Sequence, residues 1–430
     1  MRLAKLIYPL LFGYLSMITF AAVAQPQIPV KAEIKKQGES YQLFRDGKPY
    51  FIKGAGGTAY MERLQQYGGN SVRTWSTHNG LEILDKAQQL GLTVTMGIDM
   101  ARERHGFDYN DTSAVKQQLE RVRQEILTYK DHPALLAWGI GNELNLEYTN
   151  PKVWDAVNEV AEMIHELDSN HLVTTMLAGI NQDEIDEIKA RCPALDLISV
   201  QVYGGLAAVP ERIRATGWDK AYMVTEWGPT GHWESPQTPW NASVEETSSE
   251  KAAVYRSRYE ASISTDNHCI GSYVFLWGQK QERTPTWYGL FTEGGEENEV
   301  VDVMHYLWTG QWPQNRAPHL DSVRLSGKKT LDFIYLNPGQ TYPVMVYASD
   351  PDGDDLVARW ELLPESTDLK TGGDRESRPT AIPGKVSSSS VRNATLTAPD
   401  QEGAYRLFLY VTDGHNNVAT ANIPFFVQQQ

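Results

Sequence analysis

The chain has 430 residues, which exceeds what one small core organises and points to roughly two or three domains. Its 41% hydrophobic and 22% charged residues are those of a globular chain and not of a disordered or fibrous one. A formal net charge of −15 argues against nucleic acid or an anionic membrane as partner, because holding phosphate takes Lys and Arg in excess.

Residues 1–24 read as an export signal. Met1, Arg2 and Lys5 supply a basic start, Leu6 to Val23 is almost wholly apolar, and Ala22-Val23-Ala24 is a small-x-small cleavage pattern. Maturation after Ala24 would leave an exported chain, periplasmic or extracellular, with no stable membrane insertion; the alternative is an uncleaved anchor. No Cys follows the apolar run, so a lipoprotein is not indicated. Residues 25–49 read as a lead-in hairpin, with two short strands around Gly38-Glu39 and a turn at Asp46-Gly47, placed to close a barrel bottom.

From 50 to 311 short apolar runs alternate with amphipathic segments, the pattern of repeated βα units. Eight strands are predicted at 50–55, 71–75, 92–98, 135–141, 172–177, 196–203, 221–226 and 270–277. Helices are predicted at 80–90, 113–130, 151–167, 181–190, 207–215 and 248–264, the first stopped by Gly91 and the second capped by Asp111 or Thr112. The fold class is therefore α/β, a (β/α)₈ TIM barrel. A doubly wound open sheet is the competing architecture, but the turn Gly54-Ala55-Gly56-Gly57 lacks the spacing of a phosphate-binding loop. Cys192 and Cys269 precede the sixth and eighth strands, which are not neighbours, so two free structural thiols are expected.

Residues 312–318 (WPQNRAP) are turn-rich and read as a linker. From 319 to 430 short alternating runs at 331–336, 342–348, 355–361, 392–397, 404–412 and 418–427 predict an all-β sandwich as an accessory domain. The Ser- and Gly-rich stretch 365–391 reads as a mobile loop. Asp350-Pro351-Asp352-Gly353-Asp354-Asp355 resembles the acidic turns of cadherin-like modules. A structural calcium with Asp413 as a further ligand is weighed against a plain tight turn, and the turn is preferred because the spacing is not that of an EF-hand. No catalytic metal or cofactor is expected.

Active sites of TIM barrels lie at the C-terminal strand ends, and two carboxylates stand there. The fourth strand ends in Asn142-Glu143 and the seventh in Thr225-Glu226. A pair of carboxyl groups about 5–5.5 Å apart, one protonated and one ionised, is what retaining cleavage of a glycosidic bond requires. The strings WGIGNE and VTEWG, over a region of about 40–309, resemble the clan A glycoside hydrolases, and within them the family 2 type of catalytic barrel. The resemblance implies a retaining β-glycoside hydrolase with Glu143 as acid/base and Glu226 as nucleophile. It implies that Arg73 lies beside the nucleophile, that Tyr203 hydrogen-bonds it, and that Trp277 forms the aromatic floor under the sugar. It also implies that Asn142 contacts the sugar 2-hydroxyl. Family 2 enzymes ordinarily carry two β-domains ahead of the barrel, and only about 25 mature residues precede it here, with a C-terminal sandwich instead.

Further sugar-binding candidates follow from position alone. Asp99 ends the third strand and His78 follows the second, both able to bind hydroxyls. The loop 228–240 carries Trp233 and Trp240, and Trp287-Tyr288 lies after the eighth strand; such rings either stack on sugar faces or anchor loops. The expected partner is a neutral β-linked polysaccharide or oligosaccharide, with β-glucan preferred from the aromatic loops and acidic surface. A transglycosylase using the same covalent intermediate, and a non-catalytic carbohydrate-binding protein, are the other readings.

Overall fold

The computed structural model describes residues 28–429; the export signal expected at residues 1–24 lies outside them. Three short strands, β1 (Ala32–Gln37), β2 (Ser40–Arg45) and β3 (Lys48–Tyr50), form an antiparallel sheet, one strand more than the predicted hairpin. It seals the barrel bottom. The amide of Ala32 bonds the Asn170 carbonyl and that of Tyr41 the Asn267 carbonyl, while Ala32 and Leu43 share a buried cluster with Leu136, Leu172, Leu197 and Ala221.

A closed parallel barrel follows. Its strands are β4 (Ile52–Gly56), β5 (Ser71–Arg73), β6 (Thr93–Ile98), β7 (Leu135–Asn142), β8 (Leu172–Ala178), β9 (Ile198–Gln201), β10 (Tyr222–Trp227) and β11 (Cys269–Val274), in chain order around the ring. Every residue of β5, β6, β10 and β11 is buried, as strands wrapped by helices must be. The ring interior is filled, not hollow. The Tyr273 hydroxyl hydrogen-bonds Ser71 Oγ at 2.9 Å and Thr95 Oγ1 at 2.5 Å, and its ring occupies the space over Gly54, where a Cβ would sit 2.4 Å away.

The outer helices are α1 (Met61–Gln66), α2 (Gly80–Gln89), α3 (Thr112–Tyr129), α4 (Lys152–Leu167), α5 (Gln182–Arg191), α6 (Val209–Ala215), α7 (Ser248–Ala261) and α8 (Glu299–Thr309). Asp111 caps α3 by accepting from the amides of Ser113 and Ala114, and a Thr247–Glu250 capping box starts α7. Helices α1 and α8 are additions to the prediction; α1 has under two turns, too few for a periodicity to register. Cys192 and Cys269 are free and buried, and burial pushes both thiols up to about 12. Among the described residues no helix is long and apolar enough to cross a membrane.

The remainder is all β. One sheet runs β12 (Glu297–Asn298), β20 (Asn417–Val427), β19 (Gly403–Thr412), β16 (Val357–Pro364), with β14 (Ile334–Leu336) beside β20. The other runs β13 (His319–Leu325), β15 (Thr341–Ser349), β18 (Asn393–Thr397), β17 (Val386–Ser390). Leu320, Val344, Val346, Leu407, Leu409 and Ile423 form the core between them. Because β12 belongs to the barrel's last loop yet pairs with β20, the two parts share a sheet. The stretch 312–318 is docked and not free: the Ala317 amide donates to Asp302, that of Arg316 to Asp352, and Asn315 Nδ2 to Asp354.

The junction is hydrogen-bonded throughout. Glu245, fully buried, accepts from Lys251 Nζ at 2.6 Å, Thr284 Oγ1 at 2.5 Å, Thr286 Oγ1 at 2.9 Å and Asn422 Nδ2 at 2.6 Å. Arg406 Nη2 donates to the Ser243 carbonyl at 2.8 Å. Both long barrel loops after β10 and β11 are therefore tied to the sandwich. In the acidic turn, Asp350 Oδ1 accepts from the amides of Asp352 and Asp354. Carboxylate oxygens of Asp350, Asp354 and Asp413 lie within 4.8 Å of one another.

Candidate active site

Strand ends β5, β7, β9 and β10 bring the sequence candidates together at one mouth. The barrel's C-terminal face holds a cavity of about 950 Å³ lined by Glu143, Glu226, Asn142, Tyr203 and Trp233, among others. Arg73 lies beneath its floor, 1% exposed.

Glu226 is a buried carboxylate with three donors. Arg73 Nη1 donates to Oε1 at 2.7 Å, Trp75 Nε1 to the same oxygen at 2.7 Å, and the Tyr203 hydroxyl to Oε2 at 3.1 Å. Burial, and after it the Glu226 charge, pushes the Tyr203 hydroxyl well above its ordinary value, so the phenol stays a donor. Arg73 is itself fixed, donating to the Thr225 carbonyl at 2.9 Å and to Asn142 Oδ1. Gln201 Nε2 donates to that same Asn142 oxygen at 2.7 Å. Two donors on Oδ1 orient the amide and leave its NH₂ for another acceptor.

Glu143 sits in the opposite environment. Its backbone is left-handed, φ 51°, in the turn that leaves β7, held where its amide bonds the Met176 carbonyl. A bulky residue in that region is uncommon, and such conformations concentrate at functional sites. Among the described residues no donor holds its carboxyl. Burial, and second the charge of Glu226, pushes it up to about 7, with Arg73 pulling the other way. One carboxyl is thus surrounded by donors and the other is biased to keep its proton, the division of roles that acid-assisted nucleophilic displacement needs.

Three candidates lie elsewhere. His78 is exposed beyond the cavity, because β5 ends at Arg73 and the chain has turned towards α2. Asp99 is exposed on the outer side, 3.7 Å from Arg102. Trp277 is buried away from the cavity, its Nε1 facing the Tyr60 carbonyl at 3.3 Å and its ring against Phe291 and Trp308. The cause is that β11 ends at Val274, three residues before the predicted end, so the chain has already left the strand at Trp277. Of the loop aromatics, Trp233 is 58% exposed in the cavity wall. Trp287 and Tyr288 are buried loop anchors, and Trp240 packs on Tyr335 and Phe426 of the sandwich.

Sequence reasoning passed over Trp75, Gln201, Phe275, Arg102, Arg104 and Glu282, all of which line the cavity. For Trp75 a signal existed, since it follows Arg73 by the two-residue period of one strand face. Gln201 ends β9, but nothing in its spacing marks it out, and the others lie on irregular loops.

Residues 64–228 match the family model "Glycosyl hydrolases family 2, TIM barrel domain". A putative mannan endo-1,4-beta-mannosidase 4 of Arabidopsis thaliana is 30% identical over 122 residues, 27% of this chain and 30% of that protein. Among solved structures, a Faecalibacterium prausnitzii beta-glucuronidase aligns with TM-score 0.51 and 18% identity over 65% of this chain and 52% of that one. Bacteroides uniformis beta-glucuronidase 2 aligns with TM-score 0.53 and 14% identity over 92% and 48%. The chain thus spans about half the length of these structures, and at such identities they speak for the fold alone. The match takes in Asn142-Glu143 and Glu226 together, so residues 64–228 are similar to a glycosyl hydrolase family 2, TIM barrel domain.

Proposed function

We propose that this protein is a retaining β-glycoside hydrolase acting on a neutral β-linked glucan or related oligosaccharide. The observation that carries the reading is the contrast between the two glutamates: three donors on Glu226, and a Glu143 carboxyl pushed up to about 7. In the first step Glu226 attacks the anomeric carbon while Glu143 gives its proton to the departing glycosidic oxygen, leaving a glycosyl ester on Glu226. In the second, the Glu143 carboxylate takes a proton from water, whose oxygen displaces Glu226 with overall retention. The Asn142 amide then donates to the sugar 2-hydroxyl, a bond that strengthens as the ring flattens; the donors on its Oδ1 support this by leaving the NH₂ free for an acceptor.

A neutral sugar is favoured because three cations of the cavity already face carboxylates. Arg104 pairs with Asp374 at 2.9 Å, Lys280 with Glu282 at 2.7 Å and Arg283 with Glu376 at 2.9 Å. A mannan is the second reading, favoured by the similarity to the Arabidopsis protein. The test is hydrolysis of a panel of β-glucans, mannans and β-glucuronides, with azide added to two variants. Glu226→Ala should give an α-glycosyl azide and Glu143→Ala a β-glycosyl azide, since azide enters each vacated face. Azide products of the same anomeric form from both variants, or undiminished hydrolysis in either, would refute the assignment.

A further inference from the structure

The rim around the catalytic carboxylates is uneven. The connections after β6 (99–111), β10 (228–247) and β11 (275–296) are long, whereas those after β4 (57–60), β5 (74–79) and β8 (179–181) are short. In the strand order around the ring, β8 stands opposite β4. A barrel with this rim alone would carry a groove open at both ends, low over β4–β5 and low again over β8.

One end is filled, and by the other domain. The connection between β16 and β17, expected to be mobile, lies on the barrel mouth. Its tip bridges the loops after β6 and β7 on one side to the loop after β11 on the other, and in the ring β6 and β11 are the strands that flank β4 and β5. Asp374 Oδ2 accepts from Arg104 Nη1 at 2.9 Å and lies 3.0 Å from His105 Nε2. Lys280 Nζ donates to the Gly373 carbonyl at 2.7 Å. The buried Glu376 accepts from the Arg283 amide at 2.6 Å and from its guanidinium at 2.9 Å. Gly372 and Gly373 have φ of 64° and 70°, and a Cβ on Gly372 would meet Arg104 and Leu146 at 2.8 Å. Only glycine takes this backbone so close to the wall without strain. Residues 369–374 line the same cavity as Glu143 and Glu226, and Leu369 is 49% exposed there.

We propose that segment 369–374 of the C-terminal domain is the end wall of the substrate cleft and confines cleavage to chain ends. The proposal rests on the hydrolase reading. The sandwich is then part of the substrate site, and a sugar chain enters over β8, past Ala178 and Gly179, until its terminal residue meets the wall. Asp374 is a positioning residue, holding the segment down through Arg104.

The test uses the full mature chain on oligosaccharides of the hydrolysed glycan labelled at one end. Wild type should release products of one length from the first turnover. Asp374→Ala should release a mixture of lengths, and raise kcat/KM for long relative to short substrates by about tenfold, the weight of one contact. Leu369→Trp, at a half-exposed position where folding is not at stake, should lower the same ratio. A mixture of lengths from wild type, or an unmoved ratio and pattern in both variants, would overturn the proposal while leaving the hydrolase reading intact. If wild type cleaves no glycan, hydrogen exchange of 369–374 with a hexasaccharide decides: protection lost in Leu369→Trp supports the wall and sinks the hydrolase reading, and no protection sinks both.

Discussion

Arg73→Met removes the one charge on which the site's two halves depend. The guanidinium is 1% exposed and bonds Glu226 Oε1 at 2.7 Å, the Thr225 carbonyl at 2.9 Å, and Asn142 Oδ1. Taking one partner from a buried ion pair costs about 3–5 kcal/mol of stability, because the other charge stays buried. Trp75 and Tyr203 still donate to Glu226, so the lower end of that range is expected. In catalysis the loss is one charge-assisted bond to Glu226, the proposed nucleophile, and the freeing of the Asn142 amide. At about 1.5–3 kcal/mol for such a bond, kcat/KM should fall by roughly 10–150-fold. A direction accompanies the magnitude. Arg73 draws the Glu143 carboxyl down, so without it the alkaline limb of the kcat/KM profile should move to higher pH. The assay is kcat/KM on an aryl β-glycoside from pH 4 to 9, with thermal midpoints measured beside it. A uniform fall with the alkaline limb unmoved would refute the electrostatic coupling of Arg73 to Glu143, because simple misfolding scales rates without displacing the limb.

Two further outcomes follow from buried carboxyls. In wild type, kcat/KM should decline as pH rises through about 7, where Glu143 loses the proton that the proposed mechanism has it give. With a dinitrophenyl leaving group, which needs no proton, that decline should flatten, and an equally steep limb would assign it to another group. Asp302, 3% exposed, is pushed up to about 7 by burial above all, while the Ala317 amide bonded to it pulls the other way. Its contribution to stability is full below the unfolded value near 3.8 and is lost as pH rises through 7, up to about 4 kcal/mol. Asp302→Asn keeps an acceptor for Ala317 and should match wild type in urea unfolding at pH 4 but exceed it at pH 8; a difference independent of pH would contradict the linkage.

What could be read from the chain was what local pattern encodes. Alternating βα segments announced the barrel because parallel strands buried on both faces are apolar runs and their helices amphipathic stripes, each visible within a few turns of chain. Glu143 and Glu226 were legible because a strand's C-terminal end fixes where the next side chain points. The misplacement of Trp277 shows the limit of that rule: the strand ended three residues earlier than the apolar run did, since Trp277 fills a core with Trp308 of α8 and Phe275 packs on Tyr203 and Tyr288, neither extending the strand.

Tertiary structure alone decided the rest. Gln201 acquires its role by meeting Asn142 from a separate strand, and no local spacing records such a meeting. The polar stretch after β16 looked mobile because its composition buries little on its own, yet Asp374 and Glu376 are held by Arg104 and Arg283, far away in the sequence. Composition states what a segment lacks internally; what it finds on a neighbouring domain depends on how the two are docked, here through Glu245, Arg406 and the strand β12 shared with the sandwich.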